Sequence, residues 1–476
     1  MRHIYRGASR VLVWLGPEQD ESDSGMELIC DVGSAADDAQ LFPLNESELF
    51  RAAAVEKIVR RPYWRRAWIR QEVTVPSSEP LIICGNREIL WNLFDTGLYR
   101  LYKHRATERL YRVAPIVLDL RTTRNSFHSR IRREDTVSKE RTNLHSLLGA
   151  CRMTLATDPR DQVYGLLGLI RSVRDHSDLD IMIPDYTKSL SSVYLEAAKM
   201  YMRLEGTLEF LRFRARHPAR SWLPSWVPDF SLSYDMDPTT YPSNAPLKPY
   251  KWSATGALRD QFDKPYPSLG GDGGSALITK GVILDRVAKV VEIDGTSPKA
   301  ILKVRKAVLA HGAQPMTATH SIRDTVPDRE LEERIWRTLV KNCDVGGRPP
   351  CPPEYGNYYY EILNDNHSYT GNGDKPTPDD GRNFLKAMRK ATKATYRHAE
   401  SHRQVLLFEG GIDMIGLGPP DSEHGDLLCL LGGYSMPALL RRSGKSFLFV
   451  GSVFVHGIMY GEALGSRKLS DEFVII

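Results

Sequence analysis

Val11-Leu-Val-Trp-Leu15 is a run of five apolar residues closed by Gly16-Pro17. An uninterrupted apolar run of this length suits a strand buried on both faces, as in a parallel sheet under helices. Ile4 to Ala8 reads as a helical turn, and little chain precedes it to supply neighbouring strands. The strand is therefore predicted to be central, with partners that come later in the chain or are missing. Leu81 to Cys84 is the next short strand. Between them, residues 47–60 read as a helix that Ser47 can cap, with Leu49, Ala52, Ala53 and Ile58 near one face.

Outward from that segment, the 476-residue chain is too long for one ordinary domain. Its 41% hydrophobic content excludes a wholly disordered chain. A net charge of +5, from 64 basic against 59 acidic residues, is too mild for a general nucleic-acid binder. Residues 100–141 are locally basic, with 12 Lys/Arg against 5 Asp/Glu. That stretch reads as a solvated face, or as a surface for an anionic partner of unknown kind. Cys30, Cys84, Cys151, Cys343, Cys351 and Cys429 form no Cys-x-x-Cys pair, which argues against a zinc site or disulfide framework and for a cytoplasmic setting. The apolar stretch from Phe447 to Met459 is broken by Gly451, His456 and Gly457 and falls short of the ~20 residues that a spanning helix needs. The expectation is a protein without a membrane partner.

The organisation predicted along the chain has four parts: residues 1–84 as an α/β region, 85–235 mainly helical, 236–275 a Pro/Gly/Ser-rich linker, and 276–476 mixed and β-rich. The second part holds a helix from about Trp91 to Tyr102. It also holds Asp158-Pro159-Arg-Asp161, whose Asp158 can cap a helix with Val163, Leu166, Leu167 and Ile170 on its apolar face. A further amphipathic helix follows, with Val193, Ala197, Met200, Tyr201 and Leu204 on one side. In the fourth part, Ala276 to Val291 reads as strand, turn and strand, broken at Gly281 and Asp285. Residues 329–341 and 382–402 read as helices. Strands are expected at Leu406–Phe408, Leu427–Leu431, Phe447–Val450 and Val453–His456.

Several motifs carry a resemblance. Met1-Arg-His-Ile-Tyr5, Val11-Leu-Val-Trp-Leu-Gly16 and Arg61-Pro-Tyr-Trp-Arg-Arg-Ala-Trp-Ile-Arg-Gln-Glu-Val73 resemble the second half of the fungal heterokaryon-incompatibility (HET) domain. Ala156-Thr-Asp-Pro-Arg-Asp-Gln-Val-Tyr-Gly-Leu-Leu-Gly-Leu169, Pro184-Asp-Tyr186 and Trp222-Leu-Pro-Ser-Trp-Val-Pro-Asp229 are similar to the segments that follow it. Gly416-Leu-Gly-Pro419, Gly425-Asp-Leu-Leu-Cys429 and His456-Gly-Ile-Met-Tyr-Gly-Glu-Ala463 look like the tail of the same proteins. Family members usually open on a Tyr-x-x-Leu-Ser-Tyr-x-Trp-Gly-like strand and a Trp-Ile-Asp-x-x-Cys-Ile-Asn-Gln-like segment, and this sequence has neither. The resemblance thus implies an N-terminally truncated, incomplete domain.

What the resemblance implies for fold and function is specific. The fold class expected is α/β and α+β mixed: an incomplete TIR-like, flavodoxin-like N-terminal α/β domain, a helical middle region and a β-rich C-terminal region. The role is non-self recognition between fungal cells and the triggering of programmed cell death, through self-association or a protein partner. Some relatives of the TIR type cleave NAD with a glutamate, because a carboxylate stabilises the cationic centre that grows at the ribose. Glu72 is the residue that matches, with Trp64 and Trp68 as rings that could stack on a base. NAD would then be a substrate, with no resident cofactor and no metal. The alternatives are a structural ion pair between Glu72 and Arg61, Arg65, Arg66 or Arg70, tryptophans used in packing, and an inactive truncated paralogue.

Overall fold

The computed structural model describes residues 2–37, 42–132, 154–170, 182–213, 222–231, 252–255, 267–293, 295–312, 329–364, 378–396, 399–465 and 469–476. The chain divides into two compact units, Met1–Met200 and Tyr201–Ile476, and is mixed α/β. Among the described residues, no helix is long and apolar enough to cross a membrane.

In the first unit, α1 (Arg2–Gly7) leads into β1 (Leu12–Trp14), then α2 (Ser22–Ser34), α3 (Glu46–Val59) and α4 (Ile69–Thr74). The hairpin of β2 (Leu81–Cys84) and β3 (Arg87–Leu90) follows, with α5 (Trp91–Lys103), α6 (Glu108–Val113), α7 (Pro115–Arg132), α8 (Asp161–Ile170) and α9 (Leu190–Glu205), the last running across the division. The partner strand of β1 does come later: β2 pairs with it in parallel, Val13 opposite Ile82, and β3 completes the order β1-β2-β3. Among the described residues, only one face of this sheet is covered. Val13, Ile82, Cys84 and Ile89 are buried, whereas Leu12 and Trp14 are 59% and 62% exposed. The expectation of burial on both faces is corrected: among the described residues, helices pack on one side of β1 only, and Leu12 and Trp14 stand exposed on the other.

That covered face meets a core of Met26, Ile29, Val55, Ile58, Trp64, Phe94 and Leu98. α2 and α5 cross at close range there. A Cβ on Gly97 would stand 2.1 Å from the Ile29 carbonyl oxygen, and one on Gly33 2.5 Å from that of Leu93. α3 is set differently from its predicted phase. Asn45, not Ser47, caps it, in a reciprocal pair with Glu48. Ala52, Val55 and Ile58 are buried, while Leu49 and Ala53 face outward. The real cap lies two residues earlier, and the stripe is read from Ala52 inward. The predicted apolar faces of α8 and α9 are buried as expected.

The second unit contains β4 (Ser268–Gly270), β5 (Ala276–Val291), α10 (Pro298–Gly312), α11 (Arg329–Leu339), α12 (Glu354–Asn364) and α13 (Pro378–Thr392). Then come β6 (Lys393–Tyr396), β7 (Ala399–His402), β8 (Gln404–Phe408), β9 (Gly411–Gly418) and β10 (Leu427–Leu431). β11 (Ala438–Ser443), β12 (Ser446–Ser452), β13 (Phe454–Val455) and β14 (Asp471–Ile475) end the chain. β5 pairs β10, β10 pairs β11, β11 pairs β12, β12 pairs β14 and β14 pairs β5, so these strands close into a ring. Closure leaves no free edge among them.

β5 is one continuous strand, not strand, turn and strand. Its first half pairs β14 and its second half β8, while Gly281 lets the β10 backbone come close: a Cβ there would lie 2.4 Å from the Leu430 carbonyl oxygen. The helix predicted over 382–402 ends at Thr392, and the remainder is the β6–β7 hairpin. Gly425-Asp426 is explained by packing. The Asp426 carboxylate accepts from the Glu423 amide at 2.8 Å and from Arg441 Nε at 2.8 Å, which fixes the entry to β10. The predicted helix around Leu144, Leu147 and Leu148 lies outside the described residues, as does most of the predicted linker.

Candidate functional site

The segment from Arg61 to Val73 is built as a fastener between β1, α3 and the rest of the first unit. Pro62, with no amide hydrogen to lose, starts a 3-10 turn over Pro62–Arg65. Arg61 is buried and spends its guanidinium on the chain leaving β1, donating to the carbonyl oxygens of Leu15 at 3.2 Å, Pro17 at 2.8 Å and Gln19 at 3.2 Å. Trp64 Nε1 donates to the Ile58 carbonyl at 2.9 Å, sharing with the Arg61 amide an acceptor in the last turn of α3. Its indole is 1% exposed and stacks on Phe94 with centroids 5.5 Å apart, while Tyr63 meets its edge at 5.8 Å. Trp64 is thus a packing residue of the core. Trp68, half-buried, precedes α4, and its carbonyl accepts from the amides of Gln71 and Glu72.

Every residue of α4 is buried, polar ones included. Arg70 Nη1 pairs with Asp119 Oδ2 on α7 at 2.6 Å. Gln71 Nε2 donates to the Gly165 carbonyl at 2.8 Å, and a Cβ on Gly168 would lie 2.4 Å from Gln71 Oε1. The two glycines of Tyr164-Gly-Leu-Leu-Gly168 therefore admit α8 against α4. Motifs about ninety residues apart form one piece of structure. Arg124 on α7 ends α4 by donating to the carbonyls of Val73, Thr74 and Pro76.

Glu72 sits in this frame at 7% exposure. Tyr63 Oη donates to its Oε2 at 2.6 Å and Tyr5 Oη, on α1, donates to its Oε1 at 3.2 Å. Arg66 Nη2 lies 3.6 Å from Oε1, and its guanidinium rests 5.3 Å from the Tyr63 ring centroid. Burial, reinforced by the carboxylate, pushes the Tyr5 hydroxyl up to about 12 and raises Tyr63 further in the same direction. Both phenols are thus fixed donors across the physiological range. Chemically, the arrangement is a carboxylate with each oxygen already accepting a hydrogen bond, tying α1, the 3-10 turn and α4 together.

Of the predicted trio, the structure brings Glu72 and Trp64 into one segment but sends the indole inward. Arg66 is the one of the four candidate arginines that approaches Glu72; Arg61 and Arg70 are engaged elsewhere. Tyr5 and Tyr63 escaped sequence reasoning, because nothing in their spacing marks a shared partner 67 and 9 residues away. Two shallow depressions lie elsewhere. One of about 600 Å³ is lined by Lys289, Lys303 and His424, and one of about 500 Å³ by Cys30, Glu79 and Glu88. Among the described residues, no group of three or more His, Cys, Asp or Glu is gathered for a metal.

The Asp158-Pro159-Arg-Asp161 and Pro184-Asp-Tyr186 motifs also meet. Arg160 donates to both Asp158 oxygens and to the carbonyls of Tyr186 at 2.6 Å and Lys188 at 2.9 Å. Tyr186 Oη returns to Asp161 at 2.6 Å, and Tyr164 Oη donates to the Asp185 carbonyl at 2.8 Å. These contacts clip the loop ahead of α9 onto the start of α8. Asp158 does not cap α8, which begins three residues later at Asp161; its carboxylate accepts from the Arg160 amide at 3.0 Å and holds the arginine that makes the clip.

Comparison with known proteins gives one family match and a similarity along the whole chain. Residues 1–72, from α1 to Glu72, match the family described as heterokaryon incompatibility protein (HET). The whole chain is similar to "Heterokaryon incompatibility protein 6, OR allele" of Neurospora crassa, 22% identical over 569 aligned residues that cover 100% of this chain and 80% of that protein. No solved structure matches. The β1 strand and the Arg61–Val73 fastener thus lie in the stretch that matches the HET family, and the chain as a whole is similar to a fungal heterokaryon-incompatibility protein.

Proposed function

We propose that this protein acts in fungal non-self recognition, as a heterokaryon-incompatibility factor whose engagement triggers cell death. The observation that carries the reading is the coincidence of the HET match over residues 1–72 with a similarity spanning the entire chain to a protein named for heterokaryon incompatibility. The geometry of Glu72 is in keeping with a recognition scaffold. Its carboxylate fastens three elements, and among the described residues the sheet of the first unit presents the exposed apolar side chains of Leu12, Trp14 and Leu90. In this reading the protein works by associating with another protein chain or with itself.

The test is genetic. The gene is deleted in its fungus, and the deletion strain is paired with a panel of wild isolates. At least one incompatible pairing is expected to become compatible, with loss of vital-dye uptake in the fusion cells. Pairings and cell death unchanged across the whole panel would overturn the proposal.

A further inference from the structure

We infer that the second unit holds a site for a small phosphorylated molecule, in the depression where β5, α10, the start of β8 and the β9–β10 loop meet. Its volume of about 600 Å³ is in the range of small-ligand sites. Lys289 comes from β5, Lys303 and Ala307 from α10, Gln404 from β8 and His424 from the loop. Lys303 and Ala307 are one turn apart and share a face of α10, while the neighbouring Val304 and Val308 are buried and anchor the helix.

The loop wall is fixed in place and its acids are already engaged. Val287 N donates to the Asp426 carbonyl and Gly425 N to the Val287 carbonyl, both at 2.8 Å, which pins the loop to β5. Arg441 Nη1 donates to Glu423 Oε1 at 2.8 Å, its Nε to Asp426 Oδ1 at 2.8 Å, and its Nη2 to the Asp421 carbonyl at 2.7 Å. One arginine thus holds the two carboxylates on either side of His424. Glu292, exposed past the end of β5, is the other carboxylate of the lining among the described residues. Against it stand Lys289, Lys303 and His424, all exposed and carried by three separate elements. Gln404 Oε1 is shut off from solvent, so the polar end that Gln404 can present is its amide N–H₂, a donor.

Donors and positive charge select an acceptor-rich anion. Lysines arriving from separate elements act as point charges that reach separate oxygens of a tetrahedral phosphate, where a planar carboxylate has only two to offer. Val290, Val291 and Ala307 add apolar surface that a bare phosphate leaves uncovered, so the phosphate arrives on an organic body. The depression is shallow and its cations are hydrated, which makes the binding weak and salt-dependent.

The site is independent of the function proposed above and is tested on the purified full chain. Phenyl phosphate and inorganic phosphate are titrated calorimetrically into the wild type, the double variant Lys289→Gln/Lys303→Gln, Glu292→Gln and Lys386→Gln. Lys386 is an exposed lysine of α13 outside the depression. Expected is a single saturable site that binds phenyl phosphate more tightly than inorganic phosphate. The double lysine variant should lose about tenfold in affinity, Glu292→Gln should gain a few-fold, and Lys386→Gln should match the wild type. The substituted side chains are exposed, so circular dichroism should not change. If the double variant fails to fold, the gain in Glu292→Gln and the neutrality of Lys386→Gln decide. Absence of saturable binding at millimolar phenyl phosphate, or equal affinity for inorganic phosphate, would overturn the inference. So would an affinity untouched by the double lysine variant, or an equal loss in Lys386→Gln, which would mark diffuse attraction to a basic surface.

Discussion

The Tyr63 hydroxyl in the 3-10 turn donates to Glu72 Oε2 on α4, nine positions along the chain, across 2.6 Å, and Tyr5 closes on the other carboxylate oxygen from α1. The glutamate is an assembly point, and its removal strands two phenols at once. Glu72→Ala is expected to cost about 1–3 kcal/mol, Tyr63→Phe a similar amount, and the double variant clearly less than their sum. Urea unfolding followed by a signal of the first unit measures this. Additive costs would show that the two groups act independently.

Asp95 gives a pH signature. It is buried on α5, with Oδ2 3.2 Å from Arg121 Nη1 and Oδ1 without a hydrogen-bond partner among the described residues. Burial pushes its carboxyl up to about 7, against the opposing pull of Arg121 and Arg124. Between about pH 4 and 7 the folded state therefore holds a proton that the unfolded chain has released, and stability falls as pH rises through that window. Asp95→Asn should raise stability by about 1–3 kcal/mol at pH 8 and change it little at pH 4. Equal effects at the two pH values would refute the assignment.

Gly97 is a packing requirement. With the Ile29 carbonyl oxygen 2.1 Å from where a Cβ would sit, Gly97→Ala must push α5 away from α2. A loss of about 1–3 kcal/mol is expected, despite the better helix propensity of alanine. Thermal melts of Gly97→Ala beside Ala53→Gly, an exposed position on α3, separate the two effects. A gain in melting temperature for Gly97→Ala would contradict the close crossing.

The sequence by itself determined several elements and the resemblance to the HET family. Leu81–Cys84 forms the strand read there, the apolar spacing of Val193, Ala197, Met200, Tyr201 and Leu204 is the buried face of α9, and the motifs at 1–73 pointed to the HET domain. These readings are local: each rests on a period of 2 or 3.6 residues, or on an ordered set of short motifs. Tertiary structure alone decided what depends on which element lies alongside which. It left Leu12 and Trp14 of β1 exposed, because among the described residues helices cover only the face that carries Val13. It kept β5 continuous through Gly281, because the β10 backbone needs that space. It also gathered Tyr5, Tyr63 and Glu72 into one hydrogen-bonded cluster and turned Trp64 into the core. Periodicity records which side of an element is apolar, but not what covers it, and a carboxylate acquires its partners only when chain segments far apart in sequence are brought within hydrogen-bond reach.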